Sequence, residues 1–122
     1  MQLKHRTRLL KLANYLYSMD SRKFLLATLI EFNENDDKPT EKNYTKACAA
    51  GLCFVVFNRT FKWRPEFRYD DQPAYLLLKL KEFFGLDARQ IQELFVVSSY
   101  KYGRRGPISV ANKIEKLIMK KT

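Results

Sequence analysis

Thr40–Phe57 reads TEKNYTKACAAGLCFVVF, and the fold turns on how this stretch is taken. Thr40 is a good helix cap, and Tyr44, Ala47, Cys48, Gly51, Leu52, Val55 and Val56 then recur at helical spacing. The spacing predicts a central helix, with small residues Ala47, Ala49, Ala50 and Gly51 letting a neighbouring helix approach closely. Its last residues, CFVVF, are aromatic and β-branched and should fray toward extended chain. Cys48 and Cys53 are the only cysteines. Five helical steps set them about 140° apart, too divergent for an unstrained disulfide, and buried thiols fit a reducing compartment.

On the N-terminal side, Leu9, Leu12, Ala13, Leu16 and Tyr17 mark an amphipathic first helix ending near Met19. Asp20 or Ser21 can cap a second, shorter helix carrying Phe24, Leu25, Ala27, Thr28, Leu29 and Ile30, although Thr28 and Ile30 also suit a strand. The run EFNENDDKPTEK, Glu31–Lys42, has loop composition.

Toward the C-terminus, Pro73 suits the first turn of a fourth helix that faces Leu76, Leu77, Leu80, Phe83 and Phe84 inward. Gly85 is its expected C′ residue in the left-handed conformation. Asp87 with Gln90 makes a capping pair for a short fifth helix bearing Ile91, Leu94 and Phe95. Gly106-Pro107 opens the last helix, with Val110, Ala111, Ile114, Leu117 and Ile118 inside and Lys113, Lys116, Lys120 and Lys121 outside. The sequence therefore predicts an all-α fold, a single domain over residues 1–122 with five to six short helices and two basic-aromatic loops.

Those loops are the functional signal. Asn58–Tyr69 (NRTFKWRPEFRY) threads Arg59, Lys62, Arg64 and Arg68 between Phe61, Trp63, Phe67 and Tyr69, and Tyr100, Lys101, Tyr102, Arg104 and Arg105 repeat the theme. Cations neutralise phosphates and exposed rings stack on unpaired bases. A lone tryptophan in a small domain is more commonly buried, so Trp63, Phe61 and Phe67 are expected as core plugs. Tyr69, Tyr100 and Tyr102 are then the exposed rings, with Arg6 and Arg8 of the first helix adding positive charge.

The formal net charge is +10, and it arrives in blocks. Residues 1–19, 45–69 and 101–122 are basic, while 20–44 and 70–100 are mildly acidic. Such a pattern can fold into a positive face that steers an anionic partner.

Other chemistries find little support. One histidine, His5, and two ill-spaced cysteines cannot build a structural zinc site, and no second histidine serves a triad with Ser98 or Ser99. Asp20 with Asp36, Asp37 and Lys38 loosely matches a D…D-x-K nuclease pattern, but a polar turn ending at Pro39 explains it better. Gly103-Arg104-Arg105-Gly106 lacks the lysine and spacing of a phosphate-binding loop. No cofactor and no metal are expected. No apolar run approaches the roughly 20 residues of a membrane span, and the N-terminus lacks a signal peptide's apolar stretch, so the expected location is cytoplasmic.

The order L-x-x-L-A-x-Y-L (Leu9–Leu16), Phe24, T-x-A-C-A-A-G (Thr45–Gly51), F-F-G-L (Phe83–Leu86), Leu94-Phe95, a tyrosine and P-x-x-V-A-x-x-I-x-x-L-I (Pro107–Ile118) resembles a group of small uncharacterised phage and prophage proteins. The motifs are mostly packing residues, so the resemblance implies a shared helical fold and a phage-type accessory role in a host cytoplasm. Members often carry a second cysteine five positions before the one matching Cys48; here that position is Asn43, which argues against a paired-cysteine metal or redox role.

The leading expectation is a non-enzymatic protein that binds nucleic acid, DNA or RNA, mainly through phosphates. Its rival is an inhibitor or adaptor gripping a host protein with the same arginines and aromatics, which are also favoured interface anchors.

Overall fold

A computed structural model describes residues 1–68 and 74–121, the side chain of Lys121 excepted. Tyr69, expected as an exposed ring, and Pro73, expected at the start of the fourth helix, lie outside the described residues, as does the Lys121 side chain. The first helix, α1 (Leu3–Ser18), buries Leu9, Leu12, Ala13 and Leu16 as its periodicity predicts. Tyr17, expected on the same stripe, lies at the surface and donates to Asn112 Oδ1 at 2.7 Å.

Beyond α1 the expected second helix is absent. The Asp20 carboxylate caps a single 3-10 turn, Ser21–Lys23, after which the chain extends into β1 (Ile30–Phe32). β1 pairs antiparallel with β2 (Tyr44–Ala47), matching Ile30 with Ala47, Glu31 with Lys46 and Phe32 with Tyr44, with a bulge between Glu31 and Phe32. The fold is thus mainly helical, as expected, but carries a small two-stranded sheet that a strictly all-α fold would lack.

The capping signal at Thr40 is genuine but serves one turn. Its hydroxyl accepts from the Asn43 N–H (3.2 Å), and its carbonyl from the Asn43 and Tyr44 N–H groups (3.3 and 3.2 Å). There the chain straightens, because pairing with β1 offers the following backbone groups partners and buries Tyr44 and Ala47 on one side while Thr45 faces out.

The central helix, α2, therefore spans only Ala49–Val56, beginning after Cys48 rather than at Thr40. Every residue from Ala49 to Val55 is buried, as a helix apolar all round requires. At Gly51 the close approach is made by the Leu29 backbone just ahead of β1, while α1 also packs against α2. A β-carbon on Gly51 would lie 1.7 Å from the Leu29 carbonyl oxygen. The Cys48 N–H is shared between the Thr28 and Leu29 carbonyls (2.9 and 3.2 Å), so the α2 N-terminus is sealed by this same segment ahead of β1.

The remaining helices follow their sequence signals: α3 (Ala74–Phe84), α4 (Ala88–Phe95) and α5 (Pro107–Lys121). Gly85 adopts φ +64°, and the Leu86 N–H reaches back to the Lys81 carbonyl (3.0 Å), the Schellman closure that a C′ glycine permits. Asp87 and Gln90 form the expected reciprocal capping box on α4. α5 packs chiefly along α1, and one buried cluster runs from Leu9 to Ile118 through Leu52, Phe84 and Ile114.

Candidate nucleic-acid interface

The second basic loop is built onto the end of α4. Ser99 Oγ donates to the carbonyls of Glu93 (2.8 Å) and Val96 (2.7 Å), and the Tyr100 hydroxyl to that of Leu94 (2.6 Å). From α5, the Lys113 ammonium donates to the Glu93 and Ser99 carbonyls (3.1 and 2.8 Å) and sits 3.6 Å from the centre of the Tyr100 ring. The carbonyls ending α4 thus find donors, and a cation stands where the helix dipole favours one. Burial lowers the pKa of Lys113 from the ordinary lysine value, with the charge of Glu93 pulling the other way.

This corrects Tyr100. Its ring is 4% exposed, so it is a core plug whose hydroxyl is spent on Leu94, and burial raises its pKa. Tyr102 is 93% exposed as expected, with the Arg105 guanidinium 5.6 Å from its ring centre. Lys101, Arg104 and Arg105 are exposed, around a turn in which the Arg104 N–H meets the Lys101 carbonyl (2.9 Å) and Gly103 takes φ +87°.

Against this loop, α5 presents a lysine stripe. Two hollows of about 400 and 260 Å³ adjoin each other, sharing Ser99, Lys113 and Lys116. Lys120, Gln90 and Glu93 extend one end, and Lys101, Arg104, Ser109 and Asn112 the other. Among the described residues, five cations and a single acid line the two hollows. Lys113, Lys116 and Lys120 were not singled out as site residues in the sequence; their spacing of three and four along α5 was the signal available.

The first loop divides in two. Phe61 and Phe67 are buried and Trp63 half-buried, ringing Phe54 at centroid distances of 5.0, 5.1 and 5.1 Å. Their role as plugs follows from the apolar top of α2 that they cover. Arg68 is turned inward as a strap: it donates to the Glu34 and Asp36 carbonyls (3.3 and 2.9 Å) and lies 4.2 Å from the Phe32 ring centre. Arg64 pairs with Glu66 at 3.2 Å. Arg59 and Lys62 remain exposed and, with Lys38, line a separate hollow of about 460 Å³.

Arg8 is also engaged structurally, donating to the Phe83 carbonyl (2.8 Å) with its guanidinium 4.1 Å from that ring's centre, while Arg6 is exposed. The eleven predicted site residues among the described ones are thus dispersed. Lys101 and Arg104 join the α5 groove, Arg59 and Lys62 another hollow, and Arg8, Arg68 and Tyr100 serve packing.

Among the described residues, no helix is long and apolar enough to cross a membrane, and no group of three or more His, Cys, Asp or Glu could hold a metal ion. Compared with known proteins, the chain matches no family model, no curated protein and no solved structure.

Proposed function

We propose that the protein binds nucleic acid without chemical turnover, through phosphate contacts in the groove between the 99–104 loop and α5. The observation that carries this reading is the gathering of Lys101, Arg104, Lys116 and Lys120 around two adjoining hollows, with Lys113, tied to the Glu93 and Ser99 carbonyls, lining both and Glu93 the one acid among the described lining residues. Lysine ammoniums act as point charges and read no base edges, so binding is expected to depend on charge and little on sequence. Ser109 and Asn112 supply neutral groups of the kind that bond phosphate oxygens and fix register.

The test is anisotropy of a short labelled duplex titrated at several salt concentrations. With four to five phosphates neutralised, the log–log slope of affinity against salt is expected near about −4. The double variant Lys116→Ala/Lys120→Ala should flatten that slope by about two. Binding that ignores both salt and the variant would overturn the proposal. Pull-down partners that survive nuclease treatment would instead favour a protein-binding role.

A further inference from the structure

We infer that the hollow beside Trp63 takes one unpaired nucleotide, its phosphate held by Arg59, Lys62 and Lys38 and its base laid against the indole. The inference rests on the nucleic-acid reading above but uses a different site. It adds a preference for single-stranded segments that the lysine groove does not provide.

Three observations support it. First, the hollow combines the two chemistries a nucleotide presents. Three cations border a space of about 460 Å³ whose apolar lining includes Trp63 and Phe54, with Thr40 and Asn58 as hydrogen-bonding groups. A bare phosphate would use only the cations, and a neutral aromatic ligand only the rings.

Second, the site is prebuilt. Trp63 is fixed by perpendicular packing against Phe54 and Phe32, at 5.1 and 5.4 Å between ring centres. The opposite wall, the turn through Lys38 and Thr40, is held by Asn43, whose side chain donates to Asp36 Oδ2 (2.9 Å) and the Lys38 carbonyl (3.0 Å) and accepts from the Thr40 N–H (2.7 Å). Arg68 straps the same loop from its other end. Little order remains to be imposed on binding.

Third, the surroundings give the ligand one polarity. Trp63 also borders a neighbouring hollow lined by Glu34, Asp36 and Asp37, in which the cation Arg68 already donates to the Glu34 and Asp36 carbonyls. Those carboxylates repel a phosphate, so the anionic end is confined to the Arg59 side of the indole.

Trp63 is the only tryptophan, so its emission reports on the two hollows it borders, and the Arg59→Ala/Lys62→Ala variant assigns a response to this one. The full chain would be titrated with a short oligodeoxycytidine strand, with an abasic deoxyribose-phosphate strand of equal charge, and with a duplex. Saturable quenching by the oligodeoxycytidine, and not by the other two, is expected. Arg59→Ala/Lys62→Ala, both at exposed positions, should weaken that response about tenfold or more while duplex affinity by anisotropy changes little. Quenching by deoxycytidine monophosphate alone would support the hollow with a free nucleotide as its source. Equal quenching by the abasic strand, quenching by an acidic aromatic peptide that the oligonucleotide cannot displace, or a silent Trp63 while the strand binds would overturn the inference. If the duplex binds in the lysine groove and Trp63 stays silent, only this inference fails; if neither nucleic acid binds, the function proposed above fails with it.

Discussion

Arg68 holds its guanidinium 4.2 Å from the centre of the Phe32 ring while donating to the carbonyls of Glu34 and Asp36, so one side chain ties the first basic loop to β1 and to the polar turn that follows it. A planar fork can face a ring and still satisfy two carbonyls; a lysine ammonium cannot match that geometry. Arg68→Ala is therefore expected to destabilise the fold by about 1–2 kcal/mol, and Arg68→Lys to recover less than half of the loss. Urea unfolding of the three proteins checks this. Equal stability of Arg68→Ala and the parent would return Arg68 to the set of available phosphate binders.

The two glycines Gly51 and Gly103 make a contrasting pair. At Gly51 a β-carbon would lie 1.7 Å from the Leu29 carbonyl oxygen and 2.7 Å from its carbon, and neither atom can swing away because both are backbone held at the start of α2. Gly51→Ala must push the Leu29 backbone off the helix, at a cost of about 3 kcal/mol. At Gly103 the space is open but φ is +87°, so Gly103→Ala should cost about 1 kcal/mol through backbone conformation alone. Thermal melts rank the two; a milder loss at Gly51 than at Gly103 would contradict the close approach.

That contact also shows where the sequence misleads. The small residues around Gly51 correctly signalled a close approach to α2, yet at Gly51 it is the Leu29 backbone just ahead of β1 that uses the small surface a helix would also ask for. Tyr44 and Ala47, three apart, satisfy a helix stripe and also a bulged strand, and only pairing with β1 decides between them. Where the signal was local it held: the Asp87–Gln90 box, Gly85 at positive φ and the α5 stripe need no distant partner. The candidate site was less legible. Arg8, Arg68 and Tyr100 look like binding residues by type, but carbonyls remote in sequence take up the donors of Arg8 (Phe83) and Arg68 (Glu34), and the Tyr100 hydroxyl turns back onto Leu94 at the end of α4. Lys116 and Lys120 acquire their importance only because the 99–104 loop folds against them.

Tyr100 separates a packing role from a binding one. Its hydroxyl donates to the Leu94 carbonyl at 2.6 Å and its ring lies beneath the Lys113 ammonium. Tyr100→Phe keeps the ring and leaves that carbonyl without this donor, for an expected loss of about 1–2 kcal/mol. Because the ring is buried, duplex and single-strand affinities of the folded variant should equal those of the parent. A loss of single-strand affinity at unchanged stability would restore Tyr100 as a stacking residue.

Alkaline pH should expose a second consequence of burial. The Tyr15 and Tyr44 hydroxyls lie 2.8 Å apart; burial raises the pKa of both, their mutual hydrogen bond adding to the rise at Tyr15 and opposing it at Tyr44. Burial alone raises Tyr100, and burial reinforced by Cys48 raises the Cys53 thiol. In the unfolded chain the tyrosines release protons near their ordinary value of 10.0, whereas the folded protein retains them, so in that range the native state binds more protons. The stability these groups contribute is then complete below that value and is lost as pH rises above it, the thiol joining from its lower ordinary value of 9.0. Urea midpoints measured from neutral to about pH 11 should fall at the alkaline end, and Tyr100→Phe, which has no proton to lose there, should show a shallower decline. A midpoint constant across that range, or a decline of equal steepness in the variant, would show that Tyr100 reaches solvent more readily than its 4% exposure allows.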